Sequence, residues 1–233
     1  MSIDFLWGDR PVRTRGPKPS MTLDRIAGAA VAIADAEGLA AASMQRVAGE
    51  LGVTKMALYR YLPGRTELVA LMVERTLGPP PGLTAGDWRT ALTRWAGRLL
   101  DGYLEHPWLL DATVGARPIG PHELAWMEAA LAALAGTPLT AGERLDTLAV
   151  LTGQARMFAE QQVASRQPEA LFTAAIEHAV TRYGDRFPAL AATMAAVPAE
   201  AQDQAFRYGL ERILDGVAAL IDGRRLGFAP RRS

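Results

Sequence analysis

The sequence of 233 residues contains no cysteine. Disulfide bonds and thiolate metal sites are therefore excluded, which is compatible with a reducing compartment. Histidine is also scarce: His106, His122 and His178 lie far apart and form none of the short spacings that bind metals, so no metal site is expected. The chain also lacks a Gly-x-Ser-x-Gly elbow, a Walker loop and a dinucleotide fingerprint. We therefore expect neither an enzyme nor a bound cofactor.

Long apolar runs are missing as well. No run approaches the roughly 20 residues that span a bilayer, and the N-terminus lacks the basic-then-apolar order of a signal peptide. We therefore expect a cytoplasmic protein that does not enter a membrane. Apolar residues nevertheless make up 49% of the chain, enough for sizeable cores.

The formal net charge is zero, which by itself argues against a nucleic-acid binder. The distribution of charge along the chain, however, favours a nucleic-acid binder. Residues 10–65 carry nine Lys/Arg and four Asp/Glu, a net of +5, whereas residues 66–228 carry fourteen and nineteen, a net of −5. The positive end is where a polyanion such as DNA would bind.

Residues 1–21 show no helical period, and proline and glycine alternate with basic residues there. This pattern predicts a flexible basic arm. Its basic side chains could enter a narrow minor groove of DNA, where arginine is attracted. The alternative is a disordered tail without a role. The side chains that we expect to contact DNA are Arg13, Arg15 and Lys18.

Period-2 alternation, typical of strands, is absent, and helical signals dominate from Thr22 onward. The sequence therefore predicts an all-α fold with a three-helix, helix-turn-helix domain and a connecting helix over residues 22–77. The glycine- and proline-rich segment Gly78–Gly82 marks the predicted boundary to a larger helical domain for ligand binding and dimerisation, residues 83–226. The helices expected in that domain lie near 86–105, 107–114, 120–135, 141–166, 169–183 and 199–224.

The stretch from Met44 to Tyr61 is typical of a helix-turn-helix. Ala48 is small enough for a close helix crossing, and Gly52 can adopt the positive φ that ends the first helix. Thr54 then begins a second helix whose early residues are exposed, as in a recognition helix that enters the major groove. An ordinary helical hairpin is the alternative.

Several residues of this domain have side chains suited to DNA. Gln45 and Lys55 are candidates for base contacts, since glutamine pairs with adenine and lysine with guanine. Met56 and Ala57 could touch thymine methyl groups. Others are candidates for phosphate contacts, which position a protein without reading sequence. These are Tyr59, Tyr61 and Arg65, together with Thr22, Ser43 and Thr54, which begin helices and could instead act only as caps.

Two apolar stripes lie in the larger domain, one over residues 145–163 and one over residues 199–224. They predict a four-helix homodimer interface, or alternatively core within one chain. Large apolar and a few polar side chains could also line a cavity for a small-molecule effector. For each of them plain packing is the alternative, and Arg117 and Glu160 could instead pair with each other. The candidates are Trp95, Tyr103, Trp108, Thr113, Arg117, Trp126, Met127, Met157, Phe158, Glu160, Gln161 and Phe172.

The motifs in residues 22–72 resemble the DNA-binding domain of the tetracycline-repressor (TetR) family. The similarity rests on Ile26–Ala30, Gly38, Ser43–Ala48, Leu51–Val53, Leu58–Tyr61 and Glu67-Leu68. It implies an all-α homodimer that mostly represses transcription and is released by a small ligand, and it assigns base-reading positions to Gln45 and Lys55.

The segments His106–Leu110, Gly115–Pro118 and Leu151–Gln162 are similar to the C-terminal domain of the tetracycline repressor for which the family is named. In that pattern Ala116 replaces a threonine and Thr113 stands where a metal-binding histidine would be, so tetracycline with magnesium is not the expected ligand. We therefore expect a repressor that leaves a palindromic operator when an effector binds. A helical interaction module without its own operator is the alternative.

Overall fold

The computed structural model describes residues 3–8, 21–82, 87–165, 170–196 and 205–226. Every regular element within these ranges is a helix, which confirms the all-α prediction. None of these helices is both long and apolar enough to cross a membrane. The chain forms two compact units, Met1–Thr137 and Pro138–Ser233, called here the first and the second unit. The functional division at Gly78–Gly82 stays a prediction.

The first unit contains the predicted helix-turn-helix and the helices on both sides of it. A single 3₁₀ turn, Leu39–Ala41, joins the second helix to the third. The helices are α1 (Asp4–Trp7), α2 (Leu23–Glu37), α3 (Met44–Glu50), α4 (Lys55–Tyr59), α5 (Arg65–Leu77), α6 (Trp88–Glu105), α7 (Leu109–Ala112) and α8 (Pro121–Leu134).

Local signals set the ends of α2, α3 and α4. The hydroxyls of Thr22, Ser43 and Thr54 each accept a hydrogen bond from the backbone N–H three residues later, at 3.2, 3.2 and 3.3 Å. These bonds satisfy N–H groups that a helix start leaves without partners. Gly52 ends α3 with a φ of +66°, a conformation that glycine adopts without strain. The predicted caps and turn are confirmed.

Apolar side chains from four helices form the core around this motif. Ile26, Val47 and Leu58 meet there from α2, α3 and α4, and α5 covers them with Leu68 and Met72. All five are fully buried, and α2 packs along α5. The recognition helix α4 packs on α3, and this core holds the two helices in place.

The N-terminal segment departs from the sequence prediction. Residues Asp4–Trp7 form α1, in which Phe5 and Leu6 are buried and Trp7 Nε1 donates to the Ile119 carbonyl at 3.3 Å. The prediction of an arm without helix is wrong here, because one turn is too short to show a period and depends on packing against distant residues. The arm's predicted DNA contacts, Arg13, Arg15 and Lys18, lie outside the described residues.

In its described residues the second unit contains four further helices and a 3₁₀ turn, Gly184–Arg186. Leu148 and Ala155 on α9 and Leu210 and Leu214 on α12 are buried where these two helices pack. Part of each predicted dimer stripe therefore forms core within one protomer. The helices are α9 (Ala141–Ser165), α10 (Ala170–Tyr183), α11 (Pro188–Ala196) and α12 (Ala205–Arg225).

Thr140 and Glu143 form a capping box at the start of α9. The Glu143 carboxylate accepts bonds from the Thr140 N–H at 2.8 Å and the Thr140 hydroxyl at 2.9 Å, and the Glu143 N–H donates to that hydroxyl at 3.3 Å. Arg224 of α12 donates to the same carboxylate at 2.6 Å. These contacts join the beginning of α9 to the end of α12.

The hydrogen bonds from Thr140, with the charge of Arg224, hold the pKa of Glu143 below its ordinary value of 4.5. A carboxylate with a lowered pKa stabilises the fold above its unfolded pKa, and this contribution is lost as pH falls through the folded value. We expect Glu143→Gln to lower the melting temperature at pH 7 and to lower it less at pH 3.5. Thermal melts at both pH values check this. Glu128→Gln, an exposed control on α8, should change little at either pH; equal losses from Glu143→Gln at both would contradict the assignment.

Candidate nucleic-acid interface and effector cavity

The recognition helix α4 presents its first residues to solvent and anchors itself through one side chain. Lys55 is exposed, Met56 is 71% exposed and Tyr59 is 38% exposed, whereas Leu58 is fully buried. The Lys55 ammonium lies 5.6 Å from the centre of the Tyr59 ring. Gln45, at the second position of α3, is exposed as well. The helix-turn-helix thus brings these four predicted contact side chains to the surface.

The other predicted DNA contacts range from exposed, as for Thr22 and Thr54, to half-buried. Ala57 and Tyr61 are half-buried. Thr22, Ser43 and Thr54 use their hydroxyls as caps, which confirms the capping role. Backbone N–H groups in the first turn of each of these helices can still donate hydrogen bonds to a DNA phosphate. Capping and phosphate contact are therefore compatible at these three positions.

Two arginines of this domain are engaged in contacts within the protein. Arg65 is exposed and donates to the Leu39 carbonyl at 3.1 Å. Arg46 pairs with Glu37 at 2.9 Å and with Glu50 at 3.1 Å. The hydrogen bond to Glu37 is the main cause of the raised pKa of the Arg46 guanidinium. The guanidinium of Arg46 is therefore engaged by carboxylates within the protein, so Lys55 is a better candidate than Arg46 for a base contact.

A cavity of about 160 Å³ lies in the first unit, where α5, α6 and α8 meet. Of the predicted effector contacts in this unit, Tyr103 and Trp126 line it. Leucines from α5, α6 and α7 add apolar surface to the lining, and further polar side chains come from Thr76, Arg98, Glu105 and His106. The lining also includes Thr76, Leu77, Leu99 and Leu109, which were not predicted from the sequence. The apolar period of α6 could have indicated Leu99, since it falls one turn before Tyr103.

The remaining candidates of the first unit have their polar groups engaged. Trp95 Nε1 donates to the Trp126 carbonyl at 2.9 Å, and Trp108 Nε1 donates to Asp35 at 2.7 Å. The Thr113 hydroxyl donates to the Leu109 carbonyl at 2.7 Å. These side chains have structural partners, and their contact with an effector stays a prediction. Met127 is 41% exposed.

Arg117 and Glu160 each have a partner close by in sequence. The Arg117 guanidinium holds Glu123 through two bonds of 2.7 Å, a bidentate pair with only 8% of the arginine side chain exposed. Glu160 pairs with Arg156 one helical turn earlier, at 2.9 Å. Both ions therefore have local partners, and a pair between Arg117 and Glu160 stays untested.

The candidates of the second unit lie along α9 and α10. Met157 is 43% exposed and Gln161 is exposed. Phe158 packs edge-to-face against Phe206, with ring centres 5.7 Å apart. The side chain of Phe172 lies outside the described residues. Their role toward an effector stays a prediction.

Polar contacts between distant residues fix the helix-turn-helix to α6, α7 and α8. Asp35 of α2 lies 2.7 Å from His106 Nδ1 and accepts from Trp108. The Glu74 carboxylate of α5 accepts from the His122 backbone N–H at 2.7 Å, at the N-terminus of α8. This helix end is partly positive, which favours a carboxylate there. These contacts connect the end of α6 and the starts of α7 and α8 directly to α2 and α5.

Known families match both parts of the chain. Residues 26–72 match the model described as bacterial regulatory proteins of the tetR family, and residues 80–221 match the tetracyclin repressor-like C-terminal domain. The chain belongs to the TetR family. It is a DNA-binding transcriptional regulator with an N-terminal helix-turn-helix and a helical C-terminal domain, as the sequence predicted.

Two proteins of Streptomyces are similar to this TetR-family chain. The chain is 39% identical to the HTH-type transcriptional repressor DrrR1 of Streptomyces coeruleorubidus, over 98% of this chain and 89% of that protein. It is 28% identical to ActR of Streptomyces coelicolor in complex with actinorhodin, covering 88% and 98% of the two chains with a TM-score of 0.74. ActR in complex with (S)-DNPA is similar too, at 27% identity, 88% and 100% coverage and a TM-score of 0.71.

Proposed function

We propose that this protein is a homodimeric repressor that binds a palindromic operator and leaves it when a small molecule binds. The observation that carries the proposal is the exposed start of α4. Lys55 and Met56 project from a helix whose buried Leu58 fixes it to the domain core. A helix presented in this way can lie in the major groove with its first residues at the base edges. Its site of action would be DNA in the cytoplasm.

Repression and release by an effector are supported by the relatives. DrrR1 is named a repressor, and ActR has been crystallised with two different small molecules. In this chain the cavity of about 160 Å³ is smaller than the roughly 300–1,000 Å³ of typical ligand pockets. An effector larger than one ring would therefore have to enlarge it. That enlargement would favour a second arrangement of α5, α6 and α8.

Dimerisation is supported by apolar surface on α9 that remains exposed although another face of this helix packs on α12. Val150 is 52% exposed and Met157 is 43% exposed, with the exposed Gly153 between them on the same face. A partner's helices could cover this face in a four-helix interface. Two recognition helices about 34 Å apart would then meet successive major grooves on one side of the DNA.

Release would be a population shift between two arrangements of the dimer. The effector must bind one arrangement better than the other, because only differential affinity moves the equilibrium. Typical coupling is about 1–3 kcal/mol, or roughly 5–150-fold in operator affinity. The connecting helix α5 suits this role, since it borders both the core around α4 and the cavity.

Selection of bound duplexes from a random DNA pool tests the operator. We expect a palindrome with half-sites about one helical turn apart. Lys55→Ala should weaken binding to that duplex by about 1–3 kcal/mol, roughly 5–150-fold, and relax specificity at one base pair. The control Arg182→Ala removes one exposed positive charge from α10 and should leave affinity within a factor of two or so, since a surface charge outside the interface contributes little.

Each outcome of this selection discriminates between interpretations. Equal losses in both variants would mean that Lys55 acts only through net charge. Enrichment of no sequence, even at low salt, would contradict operator binding altogether. Loss in Lys55→Ala alone would identify α4 as the element that reads the bases.

A further inference from the structure

Besides the cavity, the first unit contains a surface groove of about 210 Å³. Residues from the 3₁₀ turn and the start of α5 line it together with residues from α7 and the loop that follows α7, and α5 packs on α7. Three charged side chains belong to this lining: Arg65, Asp111 and Arg117. Only one of the three has a counter-ion among the residues that the structure describes.

Arg117 is the paired cation of the groove. Its side chain is 8% exposed and holds the Glu123 carboxylate through two bonds of 2.7 Å. Such bidentate pairs of arginine and carboxylate are among the strong hydrogen-bonded contacts in proteins. Another anion would have to break this pair to bind Arg117, so the groove has one other cation to offer.

Arg65 is that second cation, and it lies at the edge of the groove. Its side chain is exposed, and Nη2 donates to the carbonyl of Leu39, which lines the same groove, at 3.1 Å. Within the described residues its guanidinium pairs with no carboxylate. A guanidinium has five N–H donors, so most of them remain for an anion.

Asp111 is the matching anion. It is the third residue of α7 and is exposed, and its carboxylate forms no hydrogen bond or ion pair with the part of the chain that the structure describes. Exposed side chains change rotamer within picoseconds to nanoseconds. Asp111 and Arg65 can therefore both sample the groove that they line, where their opposite charges attract each other.

We propose that Asp111 competes with DNA phosphate for Arg65. The arginine fork fits carboxylate and phosphate oxygens alike, so the two anions can replace each other at the same donors. In the free protein the Asp111 carboxylate would hold the guanidinium over the groove, and an operator phosphate would have to displace it. The inference rests on the proposed function in one respect, namely that Arg65 contacts the operator. Asp111 would then lower operator affinity without binding DNA itself.

The operator affinities of four full-length proteins test the competition: the wild type, Asp111→Asn, Arg65→Gln and the variant with both changes. We expect Asp111→Asn to bind the selected duplex about two- to fivefold more tightly, the value of one exposed ion pair. In the Arg65→Gln background the same change should have no effect, because the contested guanidinium is gone. Glu128→Gln, an exposed control on α8, changes the net charge equally and should leave affinity unchanged in both backgrounds.

Fluorescence anisotropy titrations of the duplex give these affinities. Equal gains from Asp111→Asn in both backgrounds would show that the carboxylate acts through overall charge, and would overturn the proposal. An unchanged affinity of Asp111→Asn in the wild-type background would overturn it as well.

Cross-linking tests, without DNA, whether the two side chains meet. The chain has no cysteine, so Arg65→Cys combined with Asp111→Cys gives a single pair of thiols in each protomer. A short dimaleimide should link them, as measured by mass spectrometry of the linked peptides. Arg65→Cys combined with Glu128→Cys is the control and should link much less, because α8 contacts α5 near its other end, through His122 and Trp126.

The two experiments separate the competition from the proposed function. Linkage no greater than in the control would overturn the competition, even in a protein that binds its operator. Strong linkage in a protein whose wild type binds no operator would refute the proposed function, while the contact between the two side chains would stand.

Discussion

Leu58→Ala is expected to abolish operator binding and to lower the free energy of unfolding by about 2–5 kcal/mol, the range for leucine truncation in a core. The five-residue helix α4 buries one side chain, Leu58, and that side chain is fully enclosed. A helix this short is unstable without tertiary contacts. Truncation therefore frees the whole recognition helix, which then loses the orientation that base contacts require.

Met56→Ala is the matched control for this experiment. Met56 lies on the same helix, two residues earlier, and is 71% exposed. Its truncation should change stability by less than about 0.5 kcal/mol, as for most surface positions. Any loss of operator affinity in this variant then reports contact with DNA.

Urea denaturation and fluorescence anisotropy on the selected duplex measure both quantities for each variant. Loss of affinity and stability together in Leu58→Ala, with affinity alone affected in Met56→Ala, is the expected pattern. Full operator affinity in Leu58→Ala would mean that α4 is held by something other than its buried leucine.

The parts of the fold that the sequence predicted correctly depend on neighbours along the chain. Thr22, Ser43 and Thr54 cap helices through bonds to residues three positions later, and Gly52 adopts positive φ because it has no side chain. Such signals involve residues only a few positions apart in the sequence. The helix-turn-helix could therefore be assigned without coordinates.

The contacts that the sequence did not predict join residues far apart. Glu74 meets His122 across 48 positions, and Asp35 meets His106 across 71. Neither pair has a local pattern that would reveal it. Thr76 was overlooked for the same reason, since a threonine near the end of a connecting helix has no feature that indicates a cavity. Tyr103 and Trp126 were found through size and aromatic character alone.

Gly120→Ala is expected to destabilise the protein by about 1–3 kcal/mol, the usual cost of overpacking. Gly120 has a φ of −97°, so alanine meets no backbone strain there. Elsewhere such a change is mildly stabilising, because it reduces the freedom of the unfolded chain. Here the added Cβ would overlap the Glu74 carboxylate, which is buried and bound to the His122 N–H. Movement of Glu74 away from the added methyl group would strain or break that bond.

Gly97→Ala is expected to change the stability of the protein in the opposite direction. Gly97 lies inside α6, and the space that an added methyl group would occupy is open, so alanine should stabilise the helix by about 0.5–1 kcal/mol. Urea denaturation of the two single variants should thus give shifts of opposite sign. Shifts of the same sign would contradict the overlap at Gly120.

A double-mutant cycle with Glu74→Ala identifies the cause of the loss at Gly120. Removing the carboxylate abolishes its bond to the His122 N–H, but it also removes the atoms with which the new methyl group collides. The two substitutions together should therefore cost less than the sum of their separate effects, by about 1 kcal/mol or more. Strict additivity would mean that Gly120 is needed for some other reason. Non-additivity would establish that the N-terminus of α8 rests on α5 through Glu74.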